Sequence, residues 1–297
     1  MRRLILIALL GSIAQLVDGT LGMAYGVTAT TALLITGITP AVASAAVHLS
    51  EVGTTLASGL SHWRFGNIDW RVVALIGVPG GVGAFAGATF LSSLSTESAS
   101  LWIAALLILL GVYILGRFAT GKVRAVIEGR VGGRFLGPLG LVAGFIDATG
   151  GGGWGPVATS ALLGSGKLAP RKTVGSVNAA EFVVSVAASL GFLFGLGQAN
   201  IPYDLVAALL VGGVLAAPLA AWLVSRLATR WLGVGVGLVL ILTNARTLLK
   251  GLEVGTGGRF VVYGLVVALW AGVVAYGTRR FAAAQRTEEK ELETIAG

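Results

Sequence analysis

Long apolar runs fill most of this chain, and they restrict what it can fold into more than any other feature. A helix that crosses a bilayer needs about 20 predominantly apolar residues. Seven segments have this character: Ala41–Ser61, Val72–Leu91, Leu101–Phe118, Val174–Phe194, Leu205–Val224, Trp231–Leu249 and Phe260–Gly277. Only 11% of the residues are charged, whereas soluble domains have about 25%. The sequence therefore predicts an all-α integral membrane protein whose main surroundings are the lipid bilayer.

The net charge of +8 does not indicate a nucleic-acid-binding protein. The basic residues lie between the apolar runs instead of on one polar face, as the positive-inside rule produces. The stretch Met1–Leu10 resembles a signal peptide, but no small-residue cleavage site and polar mature domain follow it. We interpret it as the first membrane segment. The chain has no Cys, which excludes thiol chemistry.

Two further apolar regions, Leu4–Thr36 and Phe135–Ser165, are each too long for a single span. Asp18-Gly-Thr-Leu-Gly interrupts the first, and Asp147-Ala-Thr followed by four glycines interrupts the second. Polar, Gly-rich sequence is unfavourable in a continuous helix. We predict that each region forms two short helices that meet at a break, as a re-entrant hairpin.

The two interrupted regions resemble each other, and the similarity continues beyond them. Gly11–Gly26 aligns with Gly140–Gly155, and Glu51 aligns with Glu181 on the following helix. The sequence therefore predicts a duplicated unit, each copy being a broken hairpin plus three transmembrane helices. The predicted divisions are repeat 1 (4–118), a cytoplasmic basic linker (119–134), repeat 2 (135–249), an extra C-terminal helix (260–277) and a polar cytoplasmic tail (279–297).

Loop charges predict that the two repeats have opposite orientations in the membrane. Loops 62–71, 117–134, 166–172 and 226–230 contain Lys or Arg, whereas loops 92–98 and 195–203 contain neither. Because basic loops stay in the cytoplasm, the equivalent loops 62–71 and 195–203 fall on opposite sides. Arg2 and Arg3 favour a cytoplasmic N-terminus, which disagrees with this arrangement, and we give the several internal loops more weight.

Ionisable residues at membrane depth are costly, by about 2.5–3.5 kcal/mol each on insertion scales, and are functional candidates by default. We predict that Glu51 and Glu181 carry protons, and that His48 and Asn178, three residues before them on the same helix faces, line the site. Asp18 and Asp147 are candidates for the same coupling role or for capping the backbone at the breaks. The alternative is that these carboxylates only hydrogen-bond neighbouring helices and hold the bundle together.

The breaks themselves are candidates for an anion site. A half-helix that begins after a break exposes unpaired N–H groups with partial positive charge, and such helix ends bind anions. The predicted substrate-binding residues are Thr20, Gly22, Tyr25, Gly26, Thr149, Gly151, Gly152, Gly153, Trp154, His48, Asn178, Asn244 and Arg246. The glycines have an alternative role in close helix packing, and Arg246 in snorkelling to the interface.

With these features the chain resembles the sulfite exporter TauE/SafE family of bacterial anion permeases. The resemblance rests on the duplicated Gly11–Gly26 and Gly140–Gly155, on Gly150–Pro156 and on Gly66–Trp70, and it covers nearly the whole chain. Leu21–Tyr25 departs from the family's glycine run. The resemblance implies a bacterial cytoplasmic membrane protein that moves small sulfur-containing or organic anions such as sulfite, sulfonates or sulfoacetate.

We therefore predict a secondary transporter that exports a small anion, with coupled protons, by alternating access and without a cofactor. The alternative is a cation transporter with Asp18, Asp147, Glu51 and Glu181 as ligands, since hard cations prefer carboxylate oxygens. An enzyme is not expected: Ser50 lies on the wrong helix face for a dyad with His48, and a Gly-x-Ser-x-Gly motif is absent. The oligomeric state stays open, with a homodimer among the options.

Overall fold

The computed structural model describes residues 2–21, 23–120, 129–224 and 229–296. Within these ranges it describes only the backbone at residues 19–21, 120, 170, 217, 218, 220–224, 229–232 and 279–296. All regular elements of the described chain are helical, as predicted. They are α1 (Arg2–Leu21), α2 (Tyr25–Ile35), α3 (Pro40–Arg64), α4 (Trp70–Ser93), α5 (Thr96–Thr120), α6 (Gly133–Gly150), a π-helical turn (Gly155–Thr159), α7 (Ser160–Ser165), α8 (Pro170–Leu196), a 3-10 turn (Gln198–Asn200), α9 (Tyr203–Val224), α10 (Thr229–Gly251) and α11 (Thr256–Ala296).

Every predicted transmembrane segment corresponds to one helix. Among the described residues, five helices are long and apolar enough to cross a membrane: Trp70–Ser93, Thr96–Ala119, Arg171–Leu196, Gly233–Gly251 and Thr256–Thr278. Helix α3 has 25 residues but is less apolar, because it carries His48, Glu51 and several serines and threonines. The polar residues of α3 are largely buried, so this helix lies inside the bundle.

The predicted breaks exist, but each begins about one turn later than expected. Helix α1 continues through Asp18 to Leu21, and α6 continues through Asp147 to Gly150. Gly151 then ends α6 with φ of 69°, and Gly152 follows with φ of 134°. The expectation of two short helices is wrong for the first helix of each region. With 20 and 18 residues, α1 and α6 are about 30 and 27 Å long at 1.5 Å per residue.

Helix pairs from the two halves of the chain pack closely. Helix α1 packs against α9, and α6 packs against α4; α5 packs against α10, and α3 against α8. Glycines allow this, as their abundance predicts: a Cβ on Gly144 of α6 would lie 2.0 Å from the carbonyl oxygen of Gly80 in α4. The second helices after the breaks, α2 and the segment 155–165, are enclosed by these pairs.

The division of the chain into two repeats, a linker, an extra helix and a tail stays a prediction. Part of the predicted linker, residues 121–128, lies outside the described residues. Helix α11 covers the predicted extra helix and its backbone continues to Ala296, through the segment expected to be a polar tail. This helix packs mainly on α10, and most of its described surface is exposed.

Candidate functional site

The two chain breaks meet at the centre of the bundle, backbone against backbone. A Cβ on Gly26 would lie 2.6 Å from the Cα of Gly152, and a Cβ on Gly155 would lie 2.9 Å from the Cα of Met23. Gly26 aligns with Gly155 and Met23 aligns with Gly152, so each contact is the counterpart of the other. The sequence did not predict that the two breaks would touch.

Asp18 and Asp147 cap the two breaks in the same way. Asp18 Oδ1 accepts hydrogen bonds from the amides of Ala24 (2.8 Å) and Tyr25 (3.1 Å). Asp147 Oδ1 accepts from the amides of Gly153 (2.7 Å) and Trp154 (2.9 Å). Each carboxyl group therefore reaches across the break from the last turn of one helix to the first amides of the next. This is the capping geometry that the sequence left as an alternative.

A small cavity lies between the breaks, with a volume of about 20 Å³, which is room for about one water molecule. Four carboxyl side chains contribute to its wall, and no Lys or Arg among the described residues does. The lining residues are Asp18, Met23, Tyr25, Gly26, Val27, Glu51, Asp147, Gly152, Gly153, Gly155, Pro156, Asn178 and Glu181. An oxyanion with three oxygens needs the break segments to move apart before it can enter.

Glu51 and His48 form a buried pair on α3. His48 Nδ1 lies 2.8 Å from Glu51 Oε2, and the His48 ring stacks on Phe192 with centroids 5.9 Å apart. His48 Nε2 is buried and has no hydrogen-bond partner among the described atoms. The other carboxyl oxygen, Glu51 Oε1, faces Gly26 after the first break. It lies 3.0 Å from where a Cβ on Gly26 would be.

The corresponding pair on α8 behaves differently. Asn178 Nδ2 lies 3.5 Å from His62 Nε2, so the amide turns toward α3 instead of pairing with Glu181. The Glu181 side chain is partly exposed to the cavity, and the described residues offer it no hydrogen bond. The two glutamates line one cavity, and their role there stays a prediction. The sequence did not predict this difference between Asn178 and His48.

Several predicted substrate donors already have partners within the protein. Trp154 Nε1 donates to the carbonyl of Val177 at 3.1 Å, and Thr149 Oγ1 donates to the carbonyl of Phe145 at 2.7 Å. The Tyr25 hydroxyl lies 3.3 Å from Ser50 Oγ. Trp154 and Tyr25 thereby connect the residues after the breaks to α8 and α3, whereas the Thr149 bond stays within α6. The contact of all three with a substrate stays a prediction.

Other predicted residues are elsewhere or not described. Gly22 lies outside the described residues, and so does the side chain of Thr20. Asn244 is buried, and its Nδ2 donates to Thr31 Oγ1 (3.3 Å) and to the carbonyl of Leu240 (2.9 Å). Arg246 does not reach the central cavity; it lines a separate and larger cavity at one face of the bundle.

Thr30 contacts the second break, and the sequence did not predict this contact. Its Oγ1 donates to the carbonyl of Gly151, which joins α2 directly to the second break. The signal available was its alignment with Thr159, which is also buried. Both threonines are thus buried shortly after a break.

The fold and the central cavity define a class of protein: a multi-pass membrane transporter, with broken helices and ionisable groups around a buried site. More particularly, the chain belongs to the sulfite exporter TauE/SafE family, whose family model matches residues 7–247. This family is one of membrane transporters and not of enzymes.

Two curated relatives are also named as transporters. The chain is 48% identical over 278 residues to the probable membrane transporter protein YtnM of Bacillus subtilis, and the aligned region covers 93% of each of the two chains. It is 27% identical over 181 residues to the probable membrane transporter protein YdhB of the same organism, over 57% of this chain and 68% of the relative. No solved structure matches the chain significantly.

Proposed function

We propose that this protein is a secondary transporter that exports a small oxyanion, of the sulfite, sulfonate or sulfoacetate class, across the cytoplasmic membrane of a bacterium. The observation that carries the proposal is the cavity at the meeting point of the two breaks. It combines the start of α2, the start of the segment 155–165 and two glutamates in one enclosed space. The family match supports the anion class.

The anion would be held by backbone amides rather than by cationic side chains. Asp18 and Asp147 already occupy the first amides after each break. The amides of Val27 and Gly155 follow these along the chain, at residues that line the cavity, and neither donates to a described backbone acceptor outside its own helix. Both belong to the first turn of a half-helix, where unpaired N–H groups and the helix dipole favour negative charge.

Coupling to protons follows from the charge of the cavity wall. Glu51 and Glu181 line the space that the anion would enter, and like charges at such short range repel strongly in a low-dielectric interior. The anion therefore binds best when these groups carry protons. Anion and proton then move together, and the combined gradients of the two set the direction of net flux.

Alternating access is supported by the pairing of helices across the two halves. Helix α1 of the first half packs on α9 of the second, and α6 of the second packs on α4 of the first. In the alignment α1 corresponds to α6, and α4 to α9, so exchanging the halves preserves the contacts. Together with the loop charges, this supports inverted repeats that rock around a fixed central site and each include a re-entrant second helix.

Transport in proteoliposomes tests the proposal directly. Liposomes with purified protein should take up radiolabelled sulfite and isethionate faster than protein-free liposomes, and unlabelled sulfonate outside should drive counterflow of the labelled anion. The same vesicles should not accumulate radiolabelled Na⁺ or Mn²⁺ above the protein-free control. Cation uptake without anion counterflow would contradict the proposal.

The alternative of a cation transporter is not favoured. Among the described residues, no group of three or more His, Asp or Glu side chains is arranged to hold a metal ion. One oxygen of Asp18 and one of Asp147 are also directed at backbone amides, as hydrogen-bond acceptors. The intramembrane carboxylates are therefore better explained as caps and proton carriers.

A further inference from the structure

A second cavity of about 530 Å³ opens at one face of the bundle; we name it the vestibule. It lies between α2, the start of α5 and the end of α10. Its lining is mixed in charge but includes two cations and several hydroxyl groups. The lining residues are Thr31, Leu34, Ile35, Glu97, Ser100, Leu101, Thr243, Asn244, Arg246, Thr247, Lys250 and Gly251.

Arg246 and Lys250 dominate the electrostatics of this space. They are four residues apart on α10, so they lie on the same helix face, and both are exposed. Neither makes a salt bridge with a described carboxylate, and Glu97 is the only acidic residue among the described lining. Two free cations in a concave, partly apolar space focus the field and raise the local concentration of anions.

One turn of α2 separates the vestibule from the central cavity. Val27 lines the central cavity and Thr31, four residues later on the same face, lines the vestibule. Asn244 pins this turn through its hydrogen bond to Thr31 Oγ1. Glu97 belongs to the segment 92–98, which the loop charges predict to lie outside the cytoplasm, and the same prediction places the vestibule on the exterior side.

We infer that the vestibule is a second anion site, in which Arg246 and Lys250 hold a small sulfonate or similar oxyanion between the central cavity and the exterior. The inference rests on the proposed function, because it places this site on the route of the transported anion. The Thr31–Asn244 contact closes the route in this conformation, and movement of α2 opens it.

Modification of single cysteines tests the site without measuring transport. The chain has no Cys, so Thr247→Cys introduces a unique thiol into the vestibule wall. A negatively charged sulfonate-bearing thiosulfonate reagent should modify it about tenfold faster than the trimethylammonium-bearing analogue, relative to the same ratio for a free thiol, since two nearby cations steer the anionic reagent. Sulfoacetate should slow the reaction by occupying the site.

The matched control is Thr256→Cys, which is exposed at the start of α11 and does not line the vestibule. It should show the free-thiol ratio, with no protection by sulfoacetate. Adding Arg246→Gln and Lys250→Gln to Thr247→Cys should remove both the anionic preference and the protection. Arg259→Gln, which removes a cation outside the vestibule, should change neither.

A ratio of the two reagent rates at Thr247→Cys that equals the free-thiol ratio, or an anionic preference that survives loss of Arg246 and Lys250, would overturn the inference. Failure of the proposed function gives a different result. In that case the anionic preference and its dependence on Arg246 persist, but proteoliposomes of the unmodified protein show no anion counterflow.

Discussion

Gly26 and Gly152 touch through their backbones, and this contact brings the two chain breaks together. A Cβ on Gly152 would lie 2.3 Å from the carbonyl carbon of Gly26, closer than any two such atoms can approach. Gly152 also has φ of 134°, which residues other than Gly rarely adopt. The central cavity thus depends on two glycines that belong to different halves of the chain.

Gly152→Ala should destabilise the protein and abolish transport. Strained φ and overpacking each cost about 1–3 kcal/mol, so the thermal midpoint in detergent should fall by roughly 5 °C or more. The control is Gly137→Ala on α6, where an added Cβ meets nothing within 4 Å. This control should be neutral or slightly stabilising, since Ala is the better helix former. Equal midpoints for the two variants would contradict the close contact.

Asp147 should tolerate replacement by Asn but not by Ala. Asn keeps an oxygen that accepts from the amides of Gly153 and Trp154, whereas Ala leaves both buried amides without that acceptor, at about 1–3 kcal/mol each. Thermal midpoints of the purified variants measure this difference. Asp18→Asn and Asp18→Ala should behave in the same way. If Asp147→Asn keeps its stability but transport loses its dependence on pH, Asp147 carries a proton in addition to capping.

Transport of a sulfonate should become faster as the pH falls, and Glu51→Gln and Glu181→Gln should weaken this dependence. A sulfonate keeps its charge over the whole pH range, unlike sulfite, so the change reports on the protein. For each proton that must bind, the rate falls by up to about tenfold per pH unit above its midpoint. Gln imitates the protonated form, so the double variant should transport at a nearly constant rate.

Asp204→Asn is the matched control for the glutamate variants. Asp204 is an exposed carboxyl group at the start of α9, and it does not line the central cavity. Its replacement should leave the pH profile unchanged. An unchanged profile in the Glu51→Gln, Glu181→Gln double variant as well would exclude these two groups as the proton carriers.

Corresponding loops of the two repeats should lie on opposite sides of the membrane. Phe65→Cys and Gln198→Cys place single thiols at exposed positions in the equivalent loops 62–71 and 195–203. In intact cells an impermeant thiol reagent should label Gln198→Cys and should not label Phe65→Cys until the membrane is opened. Labelling of both from the same side would show that the repeats are parallel instead of inverted.

The sequence by itself determined the membrane class, the helices and the approximate positions of the breaks. These follow from local properties: hydropathy sets the length of a span, and Gly-rich polar stretches are unfavourable in a continuous helix. The carboxyl groups within the apolar runs were also evident. A charge in such a run is energetically costly and therefore rare, so each one is a functional candidate.

Only the tertiary structure decided which of these groups act together. Three features depend on how distant helices cross. They are the contact between Gly26 and Gly152, the hydrogen bond from the Trp154 indole N–H to the Val177 carbonyl, and the position of Arg246 in the vestibule. Crossing is set by small residues and side-chain packing summed over whole helix pairs, such as α4 with α6. No local pattern in the sequence predicts the packing of a whole helix pair. The cavity and the residues that line it are therefore defined only when the helices are assembled.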